Sequence, residues 1–326
     1  MNKVFKRLLG LSCLALGFSL SAQDAHFTQY FSSPVYTNPA LTGQINGNYR
    51  VGGNYRTQWN AFGDAYTSAA VSADMRKDAW GLGVAVVQQV TGVANYSNTN
   101  FLLSGAYDLA YKTKSSKHLV FGLQLGFINR HTSGKDYTLP DQWEPGFGPV
   151  NPLNEDLGKL NAFVPDANFG ILWFNGSSKV KWAPFVGATV FHLIPSDDSF
   201  DSFSKLPMRF MVHGGARYRT GSAIDITPHA KFSYQDGAYN GIIGANVSYA
   251  LIDTEVRLEG GVAYRFDDAL LPYIGARYMD FQFGVSFDGS ISEISEIGRS
   301  KNAVEFSLIY TNQKSSVKEK FICPRL

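Results

Sequence analysis

Phe281, Phe283, Val285 and Phe287 are large and apolar, and Gln282, Gly284 and Ser286 between them are polar or small. A period of two predicts a strand with one greasy face. Val256, Leu258, Val262, Tyr264 and Phe266 alternate in the same way with Arg257, Glu259, Gly261, Ala263 and Arg265. Leu119 to Ile128 and Val304 to Tyr310 repeat it. Fourteen segments read as strands, near 48–58, 64–75, 79–90, 97–111, 117–130, 163–175, 180–193, 207–219, 223–235, 239–250, 255–266, 270–279, 281–289 and 302–311.

Alternation leaves two architectures open. A soluble sandwich turns the apolar face inward, whereas a membrane barrel turns it to lipid and lines a lumen with the polar face. Length favours the barrel, since spanning strands need about 9–11 residues and soluble strands usually run about 5–6. The connections agree. Those after even-numbered segments are short, as at Arg76-Lys77-Asp78 or Gly221-Ser222. Three after odd-numbered segments are long: His131 to Ala162, Ile194 to Leu206 and Ser290 to Lys301. Short periplasmic turns and long outer loops are the asymmetry of outer-membrane barrels. Aromatics near segment ends (Trp59, Trp80, Trp173, Trp182, Tyr111, Tyr249, Tyr273, Tyr310) suit interfacial girdles. The expected fold is all-β, a transmembrane antiparallel β-barrel of about 14 strands.

Lys3, Lys6 and Arg7 precede an apolar run from Leu8 to Leu20, followed by Ser21 and Ala22. This predicts a secretory signal peptide over 1–22. Residues 23–46 show neither helical nor strand period, although Gln29 to Gly43 is rich in aromatics and proline. Irregular backbone at membrane depth is tolerated only when surrounded by protein or water. The segment is therefore expected to enter at the periplasmic base as an N-terminal plug. Tyr30, Phe31 and Tyr36 are expected against the inner wall, with Asn38 capping a short turn that has Pro39 at its first position. The barrel then covers 47–311, and 312–326 is a periplasmic tail.

Charged residues make up 17% of the chain, below the roughly 25% of soluble proteins. The net charge of +2 gives no basic stripe for nucleic acid. The six histidines are scattered and form no metal or catalytic motif. Gly81-Leu-Gly83 lacks the third glycine of a dinucleotide fingerprint, and Asp197, Asp198 and Asp201 read as a solvated loop. No catalytic, cofactor or metal residues are assigned, and the chain does not read as an enzyme. With one cysteine, Cys323, after cleavage, no internal disulfide is available.

Gln23-Asp24-Ala25-His26-Phe27-Thr28-Gln29-Tyr30, Asn38-Pro39-Ala40-Leu41-Thr42-Gly43, Tyr55-Arg56-Thr57-Gln58-Trp59 and the terminal Cys323-Pro324-Arg325-Leu326 resemble elements of the PorP/SprF family. The terminal Leu departs from the family's Phe. The resemblance implies an outer-membrane protein of the type IX secretion system of Bacteroidota that helps secrete and retain cell-surface proteins, such as a gliding adhesin. It implies two kinds of partner: the C-terminal domain of an exported protein, and periplasmic or lipoprotein parts of the machine. Outer-membrane lipid is the third expected neighbour. In the long loops, Trp143, Phe147, Phe200 and Phe203 are candidate contacts for a protein partner. The alternative is a fatty-acid-transporter-like channel for small hydrophobic molecules, which also has about fourteen strands and a plug with Asn-Pro-Ala. The Gly, Ser, Gln and Arg of the expected inward faces disfavour a greasy path.

Overall fold

The computed structural model describes residues 24–58, 66–91, 96–113, 115–132, 142–144, 146–150, 160–197, 205–221, 223–291 and 302–312. Its strands in chain order are β1 (Tyr49–Gln58), β2 (Tyr66–Lys77), β3 (Trp80–Thr91), β4 (Tyr96–Asp108) and β5 (Lys117–His131). A short ribbon, β6 (Trp143–Glu144) and β7 (Gly148–Pro149), lies in the loop that follows. Then come β8 (Asn161–Asn175), β9 (Trp182–Phe191), β10 (Arg209–Arg219), β11 (Ile224–Gln235) and β12 (Ala238–Ala250). The last four are β13 (Val256–Arg265), β14 (Ala269–Tyr278), β15 (Phe281–Ser290) and β16 (Ala303–Thr311).

All strands but β6 and β7 form one closed antiparallel barrel of fourteen, with β1 paired to β16. Closure leaves the wall no sheet edge at its ends, the condition for a sheet to cross lipid. Tight turns hold the register: β11 and β12 meet through Asp236 (φ 45°) and Gly237 (φ 81°), the left-handed pair of a two-residue hairpin loop. No helix among the described residues is long and apolar enough to cross a membrane.

The alternation sorts side chains as the sequence requires. On β5, Leu123 and Leu125 are exposed outside, while Val120, Gln124 and Ile128 are buried inside. Outward Phe101, Phe127 and Phe163 stack across β4, β5 and β8, each pair 4.7 Å apart. One girdle is clear at the end bearing the short turns, which orients that end to the periplasm. There Trp80 meets Tyr107 at 4.7 Å, Trp182 meets Tyr218 at 4.6 Å and Phe281 meets Tyr310 at 5.0 Å. Tyr273 departs from the girdle expectation. It sits on the inward phase of β14 and is buried in the lumen. Proximity to a segment end says nothing about which face a residue takes.

At the outer end β8 runs past β9, which pairs with it only over Phe169–Phe174. The chain after β9 turns in instead: Leu206 packs on Ile128 and Val164, and the Leu193 N–H donates to the Ala167 carbonyl at 2.8 Å.

Candidate functional site: the N-terminal segment in the lumen

Residues 24–46 lie inside the barrel, in contact with inward side chains of strands all round the wall. Their course runs from the outer end to the periplasmic end, where β1 begins. The expectation of entry at the periplasmic base is corrected here. Asp24 lies among His192, Asp166 and Arg209, at the outer ends of β8, β9 and β10. Preceding strand 1 in sequence fixes only where the segment leaves the lumen.

The outer end is held by charge. Asp24 Oδ2 is 2.7 Å from His192 Nε2 and 3.1 Å from Arg209 Nε, and His192 Nδ1 is 3.0 Å from Asp166. Burial alone would raise the Asp24 carboxyl, but His192 and Arg209 outweigh it and hold it well below the usual carboxylate range. Burial opposes the charge on His192, and its two carboxylates overcome that and raise it to about 9. His26 differs: burial, with Arg265 and Arg56 nearby, pushes it well below its ordinary value.

Next inward, Thr28 and Gln29 donate their backbone N–H groups to the two oxygens of Glu305, at 2.7 and 3.0 Å. Thr28 Oγ1 donates to Asp288 at 2.8 Å and accepts from Arg56 at 2.7 Å and Arg265 at 2.8 Å. Arg56 and Arg265 both reach Asp288, at 2.7 and 2.9 Å. Arg56 also donates to Gln58 at 3.1 Å. Two of the quoted sequence elements, His26 to Tyr30 and Tyr55 to Gln58, thus meet in space. Gln29 is fully buried and satisfied, donating to Ser286 and the Glu305 carbonyl and accepting from Ser307. Burial makes these bonds count, because a buried polar group left unpaired is costly.

The middle carries the expected residues. Tyr30 opens a 3-10 turn, Tyr30–Ser32, and its hydroxyl is 2.8 Å from His229 Nδ1. Phe31 stands edge-on to Tyr273 at 5.2 Å and is only half-buried. Tyr36, in a single α-helical turn Pro34–Thr37, donates to the Ala25 carbonyl at 2.9 Å. With Phe27 and Val35 it packs on Ala70, Ala85, Val87 and Leu102 of the wall. Asn38 caps the 3-10 turn Pro39–Leu41, accepting from Ala40 N–H at 2.8 Å, and Pro39 fills the first position, where no donor is needed. The other half of the Asn38 amide donates to the Ile171 carbonyl at 3.1 Å and to His213 Nε2 at 3.1 Å.

Glycines of the wall make room for this backbone. A side chain at Gly122 would collide with Ala40 N and the Pro39 carbonyl carbon, one at Gly170 with Asn38, and one at Gly81 with the Thr42 carbonyl. Lower down, Thr42 meets Ser104 at 2.6 Å and Gly43 donates to Asp74 at 2.7 Å. Gly43 takes φ 71°, a left-handed turn that glycine permits without strain.

The segment leaves one side of the lumen unfilled. A cavity of ≈ 140 Å³ remains toward the periplasm, bordered by Phe31, Pro34, Arg217, Glu259, Tyr273 and Arg277. Arg257 pairs there with Asp225 and Arg277 with Glu259, both at 3.3 Å.

On the outer loop, Trp143 and Phe147 are 58% and 76% exposed on the ribbon of β6 and β7. Phe200 and Phe203 lie outside the described residues. Among the described residues no cluster of three His, Cys, Asp or Glu could hold a metal. The sequence reading missed Thr28, Asp288, Glu305, Asp24 and His192. One signal was available: Asp288 and Glu305 are carboxylates within spanning strands, and ionisable residues at membrane depth mark function or pairing.

The family model for the type IX secretion system membrane protein PorP/SprF matches residues 19–310. No curated protein matches. Among solved structures, the chain is similar to a TodX deltaS2S3 mutant monoaromatic hydrocarbon channel, at 11% identity and TM-score 0.50, over 86% of this chain and 94% of that one. It is equally similar to a Pseudomonas aeruginosa FadL homologue, at 10% identity and TM-score 0.50, with the same coverage. At such identity these likenesses show the fold alone.

Proposed function

We propose, for a chain that belongs to the PorP/SprF family of type IX secretion system membrane proteins, that it serves secretion as a binding and anchoring barrel and not as a conduit. Its place is the outer membrane, and its family and fold are those of secretion and channel proteins. The observation that carries the reading is the N-terminal segment lying across the lumen. Residues 24–46 bond to opposite sides of the wall, from Glu305 on β16 to His213 on β10, and the ≈ 140 Å³ left beside them is too small to pass an exported chain. Contacts with cargo then fall to the outer loops. Exposed Trp143 and Phe147 are of the residue kind that anchors protein partners. In this reading the barrel holds the C-terminal domain of an exported surface protein, such as a gliding adhesin, and meets the machine's periplasmic or lipoprotein parts at the short-turn end. Residues 23–46 are the plug that keeps the barrel closed, and 312–326 form a periplasmic tail.

The channel reading requires an apolar path. The cavity beside the segment is instead bordered by Arg217, Glu259 and Arg277. Deleting the gene and profiling surface proteins tests the proposal. Loss of one or a few large exported proteins is expected, and copurification from mild detergent identifies them. An unchanged surface proteome with lost uptake of an apolar compound would overturn it.

A further inference from the structure

Two basic side chains of the wall face the N-terminal segment with no acid between them. Lys231 on β11 and His213 on β10 are direct partners in the ladder. Both point into the lumen, 6% and 1% exposed. Their inward neighbours on the flanking strands are Gly187 and Thr189 on β9 and Ile242 and Gly244 on β12. None of these is acidic. The lumen's carboxylates are engaged elsewhere, among them Asp24 with His192 and Arg209, Asp288 with Arg56 and Arg265, Glu305 with Arg56, Asp74 with Arg50, Asp108 with Arg76, Asp166 with His192, Asp225 with Arg257, and Glu259 with Arg277. The Lys231 ammonium has the face of Tyr30 at 5.2 Å and no carboxylate within ion-pair distance among the described residues.

His213 has a fixed tautomer. Asn38 Oδ1 accepts from Ala40, so its amide nitrogen is the donor to His213 Nε2. The imidazole proton is therefore on Nδ1, which is buried with no hydrogen-bond partner. A buried N–H donor without an acceptor and a buried amine without a counter-charge are both unfavourable. Both are relieved by one negative charge between them.

We propose that Lys231 and His213 Nδ1–H hold a halide-sized inorganic anion at the seam between the wall and the N-terminal segment. Two segment residues already anchor at this seam: Tyr30, with its ring under Lys231 and its hydroxyl on His229, and Asn38, on His213. The anion therefore strengthens the hold on the segment as well as neutralising the wall.

Crystals of the full chain grown in sodium bromide test this by anomalous scattering. A bromide peak is expected between Lys231 Nζ and His213 Nδ1, and it should vanish in Lys231→Met. Ordered density without anomalous signal, meaning water only, overturns the proposal, as does a peak that persists in the variant. In detergent micelles, melting is compared in chloride and gluconate at equal ionic strength. The wild type should melt several degrees higher in chloride and Lys231→Met equally in both. The same chloride response from both proteins overturns the site. The bromide experiment on wild-type protein stands even if the variant does not fold.

Discussion

The two sides of the lumen are built from the same alternation and end up differently. From β3 to β9 the inward positions include Gly81, Gly122, Gly170 and Gly187; the backbone of residues 39–43 lies directly on Gly81 and Gly122, and the Asn38 side chain on Gly170 and Gly187. From β10 to β14 they include Arg217, Asp225, Arg257, Glu259 and Arg277, and the ≈ 140 Å³ cavity remains there. Small inward residues let a second backbone reach contact distance. Long charged ones hold it off and satisfy each other across the wall. The period of two decides which residues face in, and their size decides whether the space is sealed.

The largest test restores bulk to the sealed side. In Gly122→Leu the new side chain meets Ala40 N and Pro39 backbone atoms, which cannot swing aside as a side chain could. Overpacking costs about 1–3 kcal/mol when neighbours adjust; here the expected outcome is displacement of residues 38–43. Planar-bilayer conductance should rise from near zero, and residues 24–46 should become open to protease. Unchanged conductance would mean that the glycine row does not decide the sealing.

The second test weighs the two kinds of charge. Glu305→Gln removes the carboxylate that takes two segment amides and Arg56. Breaking a buried ion pair from one side costs about 3–5 kcal/mol, seen as a lower melting temperature. Arg277→Ala, in the part-exposed pair with Glu259, should cost no more than about 1 kcal/mol and leave the segment in place. Equal losses in the two variants would erase the distinction between the sides.

The smallest effect is on the outer clamp. His192 titrates at about 9 in the fold against an ordinary 6.5. Its stabilisation is therefore complete below pH 6.5 and is lost as pH rises through about 9. Asp24 has the opposite sign: its share is complete above its ordinary 3.8 and is lost only in stronger acid. The melting-temperature gap between wild type and His192→Asn should be widest near about pH 6 and narrow above about pH 9. A gap that grows with alkalinity would rule out the Asp24–His192–Asp166 clamp.

Much of this was legible in the chain. Segments read near 117–130 and 281–289 appear as Lys117–His131 and Phe281–Ser290, because a strand half in lipid must alternate strictly. The Asn38 cap and Pro39 position were also readable, since capping involves residues two apart and needs no distant partner. Tyr273 was not, because aromatics suit a girdle and a lumen equally. Nor was the meeting of Thr28 with Asp288 and Arg265, which are separated from it by 260 and 237 residues.

The sequence by itself determined a closed antiparallel wall of about fourteen strands and the apolar, outward phase of its alternating segments. These follow from local periodicity and from the rule that no backbone polar group stays unpaired in lipid. The tertiary structure alone decided the path of residues 24–46. They run from the outer rim inward because the carboxylates and histidines that receive them sit on strands far apart in the chain, and only closure of the barrel brings those strands round one lumen.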